Sequence, residues 1–369
     1  MKKNVLFIIW SFTYGGGSER VLANIVNHLS AEKYNIEILE YCHSDIGKET
    51  VNDNIIIHKP LIDITKTDIL AKIKKRIIDQ FMIKLCPGLL RKIVLKKTYD
   101  VEVSFNYLIP TFLLNKKSSR LISWIHGSID DLKELPSLKR RQRKSLKKVY
   151  QIVAISKNTE KSIIDLFPMY KNKTSIIYNG YDYEKMSNMA IETEKVDSFD
   201  LLYCGRMDQN KNPLLFVDVV YRLIKKGKKV RACMLGTGII ENEVKKKIKE
   251  YGVEKNIILK GYVRNPYPYL KKCKILCLTS FTEGFPTVIV EAMFFGKPFI
   301  TTPVAGSKEL SKDNLCGFIA CSVDEFVEKG LLLLDNDDIY NKMSTNCQRE
   351  VMEYSLERQI AKIEKLLDE

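Results

Sequence analysis

The chain reads as an α/β protein built from two doubly wound, Rossmann-like domains facing a central cleft. Short apolar runs alternate with amphipathic, helix-periodic stretches along most of its length, the pattern of βαβ units wound around a parallel sheet. The alternation comes in two blocks, and the stretch between them, 183–198, is polar and without strong periodicity. A length of 369 residues fits two domains of roughly 150 residues apiece. The first domain is expected over 1–185 and the second over 199–352, with a closing amphipathic helix over 353–369.

Composition narrows the class. A hydrophobic content of 45% is that of a globular protein, and no apolar run approaches the ~18 residues of a membrane span. Met1-Lys2-Lys3 followed by NVLFIIWSF imitates a signal peptide, but a Gly-rich turn and a helix follow in place of a cleavage site. The run is expected to be the first strand of a cytoplasmic protein. Nine cysteines show no zinc spacing, and Cys204, Cys233 and Cys277 fall inside apolar strands, so no disulfides are expected. A net charge of +15 implies an anionic partner: nucleic acid, an anionic membrane or a phosphorylated substrate.

In the first block, a strand at 4–10 leads into Tyr14-Gly15-Gly16-Gly17-Ser18-Glu19-Arg20, which opens a helix to about Ser30 with Ser18 as N-cap. The glycines admit positive φ and let a ligand approach the main chain. The turn is neither G-x-G-x-x-G nor a P-loop. Strands are expected at 35–42 and 54–58. Over 66–97, Ile69, Ile73, Ile77, Phe81 and Leu85 recur every four residues among Lys72, Lys74, Lys75, Arg76 and Lys84, with a break at Cys86-Pro87-Gly88. This basic amphipathic helix is open to two readings. It packs on the core with a solvated cationic face, or it lies on an anionic leaflet that attracts each basic side chain by ~1 kcal/mol.

Strands at 100–105 and 120–125 follow, the second running into His126-Gly127. A His at the carboxyl end of a strand lies on the ligand edge of an open sheet; His28, His43 and His58 lack that setting and are read as structural. A second basic helix spans 130–149. A strand at 153–156 and the segment 174–182, with the turn Asn179-Gly180, close the block.

The second block opens with a strand at 199–204 and the loop Gly205-Arg206-Met207-Asp208-Gln209-Asn210-Lys211-Asn212, with Pro213 starting a helix. Arg206 and Lys211 bracket a loop after a strand, where a guanidinium fork and a point cation suit a diphosphate. Strands at 230–235 and 256–260 are each followed by a glycine. Asp335-Asn336-Asp337 contains a D-x-D, read as a helix-start cap. The densest stretch is EGFPTVIVEAMFFGKP, 283–298, after a buried strand at 274–279. Pro286 fits a first helical turn; Val288, Ile289, Ala292, Met293 and Phe295 form an apolar face; Gly296 ends the helix. Glu283 then sits in a tight loop at the carboxyl end of the strand, and Glu291 about one and a half turns into the helix. Backbone N–H groups of 284–288 suit phosphate, and the carboxylates suit sugar hydroxyls.

This block resembles the E-x7-E signature of retaining, nucleotide-sugar-dependent glycosyltransferases of family 4, which have the GT-B fold. The loop at 205–213 is similar to the family's G-R-x-x-x-x-K phosphate motif, Gly15-Gly16-Gly17 to its N-terminal glycine loop, His126-Gly127 to its H-G, and Asn179-Gly180 to the turn closing its first domain. The resemblance is weak over 43–100. It implies that the last helix crosses back to the N-terminal, acceptor-side domain. It also implies that Arg206 and Lys211 hold the donor diphosphate, helped by Gly16, Gly17 and the backbone of Pro286, Thr287 and Val288. Val263 would border the base and Glu291 the ribose. Glu283, with Gly284 and Phe285 beside it, would meet the donor sugar, and His126 would lie near the sugar and the incoming hydroxyl. The departing phosphate would act as base, without a metal or other cofactor.

The activity so implied is transfer of a hexose or N-acetylhexosamine, UDP-linked, to a lipid-linked or membrane-associated glycan in cell-surface polysaccharide biosynthesis. The enzyme would be peripheral on the inner face of the cell membrane, held to the anionic surface by its basic helices. Alternatives are a GT-B nucleotide-sugar epimerase and a non-catalytic nucleotide-sugar-binding subunit of a transferase pair. A nucleic-acid-binding protein would explain the charge, but the basic residues lack interleaved aromatics and no recognised binding motif appears. Donor sugar, acceptor, linkage and oligomeric state are not legible in the sequence.

Overall fold

The computed structural model describes residues 1–14, 17–47, 49–66, 68–78, 87–95, 97–115, 117, 120–191 and 196–369. They form two compact units, Met1–Gly180 with Leu356–Glu369, and Tyr181–Ser355. Gly16, Phe81, Lys84, Leu85 and Lys96 lie outside the described residues, as does the side chain of Lys74.

The first unit is built on a parallel sheet. Its strands are β1 (Lys3–Ile9), β2 (Tyr34–Glu40), β3 (Cys42–His43), β4 (Ile56–Ile57), β5 (Ile62–Asp63), β6 (Val101–Ser104), β7 (Arg120–Ile125), β8 (Gln151–Ala154) and β9 (Thr174–Ile176). Seven of them order as β4-β2-β1-β6-β7-β8-β9, and β3 pairs with β5 apart. Residues 5–9 of β1 are all buried, because a central parallel strand is covered on both faces and needs apolar side chains on each. Strand β1 pairs on one side with β2 (Val5 with Ile36) and on the other with β6 (Val5 with Val101). The chain order therefore reverses between β1 and β6, which makes a topological switch point.

The closing helix, Leu356–Asp368, belongs to this unit. Leu356, Ile363, Leu366 and Leu367 form a buried stripe at helical spacing. Its polar edge is pinned by Lys33 Nζ to Glu364 at 2.7 Å, Tyr34 Oη to Asp368 at 2.8 Å and the Arg120 guanidinium to the Leu366 carbonyl at 2.9 Å. Inside the unit, Arg91 grips Glu102 with two bonds of 2.7 and 2.8 Å and also donates to the Leu113 carbonyl.

Within the basic stretch 66–97, the described residues form a helix over Ile69–Ile77. Ile69 and Ile73 are 76% and 50% exposed, and Leu70, Ile77, Lys72, Lys75 and Arg76 are exposed too. Its stripe is exposed at Ile69, Ile73 and Ile77, while Ile78 just after it is buried in the core of the unit; a shorter helix, Pro87–Lys92, starts within the expected break, whose Cys86 lies outside the described residues. The second basic stretch behaves differently. Its helix is confined to Pro136–Leu146, and it buries Gln142 and Leu146 while exposing Arg140, Arg143 and Lys144, an ordinary amphipathic surface helix. The first helix begins at Gly17, so Ser18 stands inside its first turn and is not the cap.

The second unit carries β10 (Phe199–Cys204), β11 (Ala232–Leu235), β12 (Ile257–Gly261), β13 (Cys273–Leu278), β14 (Phe299–Thr301) and β15 (Gly317–Ile319) in the order β12-β11-β10-β13-β14-β15, all parallel. Its switch point lies between β10 and β13. Strand β15 is absent from the sequence reading, because three residues in Leu315-Cys316-Gly317-Phe318-Ile319-Ala320 are too few to show a period; pairing with Phe299–Thr301 makes it a strand. The polar stretch 183–198 is also not all linker. Asp182 caps a helix over Tyr183–Met189, and Tyr183 stacks on Phe294 at 4.6 Å while donating to the Val351 carbonyl. Polar composition concealed a helix held by one aromatic stack and one hydrogen bond, both from Tyr183.

Candidate functional site

Strands β10 and β13 run side by side, with Leu201 beside Ile275 and Leu202 beside Leu276. The loops leaving their carboxyl ends, 205–212 and 279–286, therefore open together where the strand order reverses, the edge at which open α/β sheets receive ligands. Asn210 joins them. Its Nδ2 donates to the Thr282 carbonyl at 3.0 Å, its Oδ1 accepts from Thr282 N and Oγ1, and its own carbonyl accepts from Phe281 N at 2.7 Å. Thr279 Oγ1 adds a bond to the Lys211 carbonyl at 2.9 Å.

Two glycine contacts hold these loops from outside. Gly236, at φ +122°, follows β11 and presses on the Gly205 carbonyl, where a Cβ would collide with the oxygen. Met207 N donates to the Thr237 carbonyl at 2.8 Å beside it. Gly306, at φ +83°, leaves a Cβ position only 2.8 Å from the Phe285 ring and 3.0 Å from Pro286 Cδ. Both positions need backbone that L side chains rarely adopt, and both set the spacing of a site loop.

On this base stand the charged groups. Lys211 Nζ lies 2.6 Å from Glu283 Oε1, and Ser280 Oγ donates to the same oxygen at 2.6 Å. The pair is sheltered, with side chains 23% and 12% exposed. Asp208 Oδ1 accepts from Lys211 N at 2.9 Å and so sets the turn that aims the lysine. Arg206 differs: its side chain is 77% exposed, and its guanidinium reaches Asp208 at 3.3 Å. Lys211 is thus a held charge and Arg206 a solvated one.

Glu291 stands in the second turn of the helix Thr287–Phe294. Its charge is felt at the end of β10 and at Tyr181. Burial, and then Glu291, push the Cys204 thiol up to about 12; the same two causes raise the Tyr181 phenol. Burial, then Asp208 and Glu283 among its neighbours, raise Tyr203. Both carboxylates therefore flank the last residues of one strand. No side chain caps the helix; Pro286 occupies its N-cap, and Gly284 and Thr287 are exposed beside it. Phe285 is buried and Val288 half-buried.

Not every residue named from the sequence joins this cluster. Val263 follows β12, the edge strand, two strands away from β10. Gly17 and His126 belong to the first unit. His126 follows β7, and its ring packs 4.4 Å from Phe105 and 6.3 Å from Trp124. Its Nε2 is buried without a hydrogen-bond partner. Burial pushes its pKa down to about 3, so the imidazole is neutral near pH 7. Asp208, Asn210, Ser280 and Thr282 were not singled out from the sequence. Their only signal was position in the same two loops: Asn210 and Thr282 bond across 72 positions, which leaves no local pattern, and the short-range bonds of Asp208 and Ser280 to Lys211 and Glu283 are of a kind common in loops.

Comparison with known proteins bears on this site. Residues 15–185 match the family described as Glycosyltransferase Family 4, and residues 184–350 the family described as Glycosyl transferases group 1. A Campylobacter jejuni N-acetylgalactosamine-N,N'-diacetylbacillosaminyl-diphospho-undecaprenol 4-alpha-N-acetylgalactosaminyltransferase is 29% identical over 197 residues, 53% of each chain. The chain thus spans about half the length of that relative. An Escherichia coli UDP-Gal:alpha-D-GlcNAc-diphosphoundecaprenol alpha-1,3-galactosyltransferase is 27% identical over 313 residues, 75% of this chain and 77% of that one. Among solved structures, Anabaena Alr3699/HepE in complex with UDP superposes over 100% of both chains with a TM-score of 0.73 at 16% identity. The lipopolysaccharide outer core galactosyltransferase WaaB, in its apo form, covers 97% of this chain and 99% of its own, with a TM-score of 0.70 at 19% identity.

Proposed function

The chain belongs to glycosyltransferase family 4 and has its GT-B fold, and from that premise we propose that it transfers a sugar, with retention, from a nucleotide diphosphate sugar to an acceptor hydroxyl. The observation that carries the proposal is the Lys211–Glu283 pair at the switch point of the second unit. Without a donor each group neutralises the other. An arriving diphosphate competes for Lys211, and Glu283 is then released to accept hydrogen bonds from the donor sugar. The same carboxylate faces positive charge developing at the anomeric carbon, while Lys211 and Arg206 stabilise the departing diphosphate. Breaking the glycosidic bond sends its electron pair to the phosphate oxygen, and that oxygen takes the proton of the incoming hydroxyl.

Glu291 is assigned the ribose hydroxyls, and the N-terminus of Thr287–Phe294 a phosphate. His126, neutral, is assigned to the sugar or the acceptor. The donor is proposed as a UDP-linked hexose or N-acetylhexosamine, because the relatives' names carry such sugars. The acceptor is proposed as lipid-linked, because those names also carry diphospho-undecaprenol, and the pathway as cell-surface polysaccharide assembly. Peripheral attachment to the inner face of the cell membrane fits the exposed isoleucines and basic residues of Ile69–Ile77; among the described residues no helix is long and apolar enough to cross a membrane.

The test is a screen of nucleotide sugars for thermal stabilisation, followed by release of free nucleotide diphosphate with lipid-linked glycan acceptors. One nucleotide sugar is expected to raise the unfolding temperature and to be turned over. Absence of stabilisation by every nucleotide sugar would refute the proposal.

A further inference from the structure

The amino ends of the second sheet, on the edge opposite the site loops, border a cavity of about 300 Å³. Phe199 begins β10, Cys273 begins β13, and Lys297 stands just before β14. Three ammonium groups share the lining, those of Lys272, Lys274 and Lys297, against one carboxylate, Asp200. The helices Tyr267–Lys272 and Thr287–Phe294 end at this edge. Their carbonyl ends attract cations, which accounts for the gathering of lysines but not for how differently the three are held.

Lys274 is paired. Its Nζ reaches Asp337 at 3.4 Å and lies over the Tyr340 ring, 5.2 Å from the centroid. Asp200 accepts from Arg231 N at 2.7 Å, and Lys272 is exposed. Lys297 is half-buried, and among the described residues its ammonium has no hydrogen bond and no carboxylate partner. Its main chain is fixed on both sides: N donates to the Ala292 carbonyl at 2.9 Å, and the Lys297 carbonyl accepts from Cys347 Sγ at 3.7 Å. Burial is the main reason its pKa lies below the ordinary lysine value; Cys273 opposes the shift and Lys272 adds to it. At a given pH more of Lys297 than of an exposed lysine is then the free amine, and the free amine is the nucleophile.

We propose that Lys297 is a site of acylation by small acyl phosphates, seated in this cavity with the phosphate toward Lys272 and Lys274 and the carbonyl carbon at Lys297 Nζ. In an acyl phosphate a single oxygen separates the carbonyl carbon from phosphorus, so cations beside the amine also meet the leaving group. A thioester on a large carrier holds no charge beside its carbonyl, and a neutral ester draws nothing from the lysines. The cavity is at the small end of those that take organic ligands, which restricts the acyl group to a few carbons. The nitrogen lone pair of Lys297 forms the N–C bond, the C–O bond to phosphate breaks, and its electron pair leaves on the phosphate oxygen. The amine proton passes to the phosphate, so the products are an amide and hydrogen phosphate. Lys272 and Lys274 stabilise the charge collecting on the leaving oxygen. The inference stands apart from the transferase reading.

Full-length protein is incubated with acetyl phosphate near neutral pH, and peptide mass spectrometry follows acetylation at each lysine. Lys297 is expected to react at least tenfold faster than the exposed Lys229 and Lys255. With p-nitrophenyl acetate, a neutral ester of the same acyl group, that preference should shrink at least threefold, because only the free-amine fraction still favours Lys297. Inorganic phosphate should slow acetyl phosphate at Lys297 and leave Lys229 unchanged. Lys272→Gln should cut the acetyl phosphate rate at Lys297 at least fivefold and the ester rate by less, while Lys272→Arg keeps most of both. The unfolding temperature checks that each variant is folded, and the wild-type comparisons need no variant. Acetylation of Lys297 no faster than that of Lys229 and Lys255 would overturn the inference. So would an equal preference with the ester and with acetyl phosphate, or a rate at Lys297 that inorganic phosphate does not lower.

Discussion

Replacing Lys211 with Ala separates the two things asked of this side chain. Its pair with Glu283, at 2.6 Å and mostly sheltered, lies between two regimes. Exposed pairs contribute ~0–1 kcal/mol, and stripping one partner from a fully buried pair costs about 3–5 kcal/mol. Glu283 keeps its bond from Ser280 and some exposure, so a loss of about 1–2 kcal/mol in unfolding free energy is expected, measured by urea titration. Catalysis should suffer more. Removing one group that stabilises transition-state charge typically costs ~3–4 kcal/mol, or about 10²–10³ in rate, and at least a tenfold drop in nucleotide diphosphate release is expected. Glu283→Gln keeps the shape and removes the charge. In the double variant no carboxylate is left unpaired, so stability should recover by part of the loss while turnover stays low. A Lys211→Ala enzyme within about threefold of wild-type turnover would refute the assignment, as would a double variant that regains activity along with stability.

Other expectations follow from the same geometry. His126 titrates near 6.5 in an unfolded chain and is pushed down to about 3 by burial. The unfolded state then binds a proton the native state refuses, so its contribution to stability is lost as pH falls from about 6.5 toward 3 and is flat above. His126→Phe should lessen that slope in denaturant titrations at pH 4.5 and 7.5, and equal slopes would exclude the effect. Gly236→Ala should cost upwards of ~2 kcal/mol, from strain and a backbone collision. Gly227→Ala, at φ +84° with open space around it, should cost about 1–2 kcal/mol from strain alone; thermal unfolding compares them. Arg91→Met leaves Glu102 buried and should destabilise by about 3–5 kcal/mol, with Arg91→Met/Glu102→Leu losing less. Ile69→Glu/Ile73→Glu should leave the unfolding temperature unchanged but abolish co-sedimentation with vesicles rich in anionic lipid; unchanged sedimentation would count against membrane attachment through this helix.

The strands around both switch points were legible because a strand covered on both faces must be apolar throughout. KNVLFII, FDLLYC and CKILCL announce themselves. Asn336 as a cap was legible from its residue type and position, and its Oδ1 accepts from Ile339 N at 2.9 Å. Strand β15 and the helix Tyr183–Met189 were not legible, because each is short and stabilised by partners distant in sequence. Periodicity at Ile69, Ile73 and Ile77 established a helix with an apolar stripe, but a stripe looks the same whether a core covers it or not. Within the site, Glu283 and Glu291 stood out by their spacing. The strap formed by Asn210 and Thr282, and the glycine contacts of Gly236 and Gly306, had no local sign.

By itself, the sequence determined that this protein is a pair of βα-alternating blocks with cations in one strand-end loop and acids in another, because burial and helix periodicity are written in consecutive residues. Tertiary structure decided that Lys211 meets Glu283, that Arg206 faces solvent, and that His126 is neutral. Those outcomes depend on which surfaces lose their water and which charges approach, and neither is a property of neighbours along a chain.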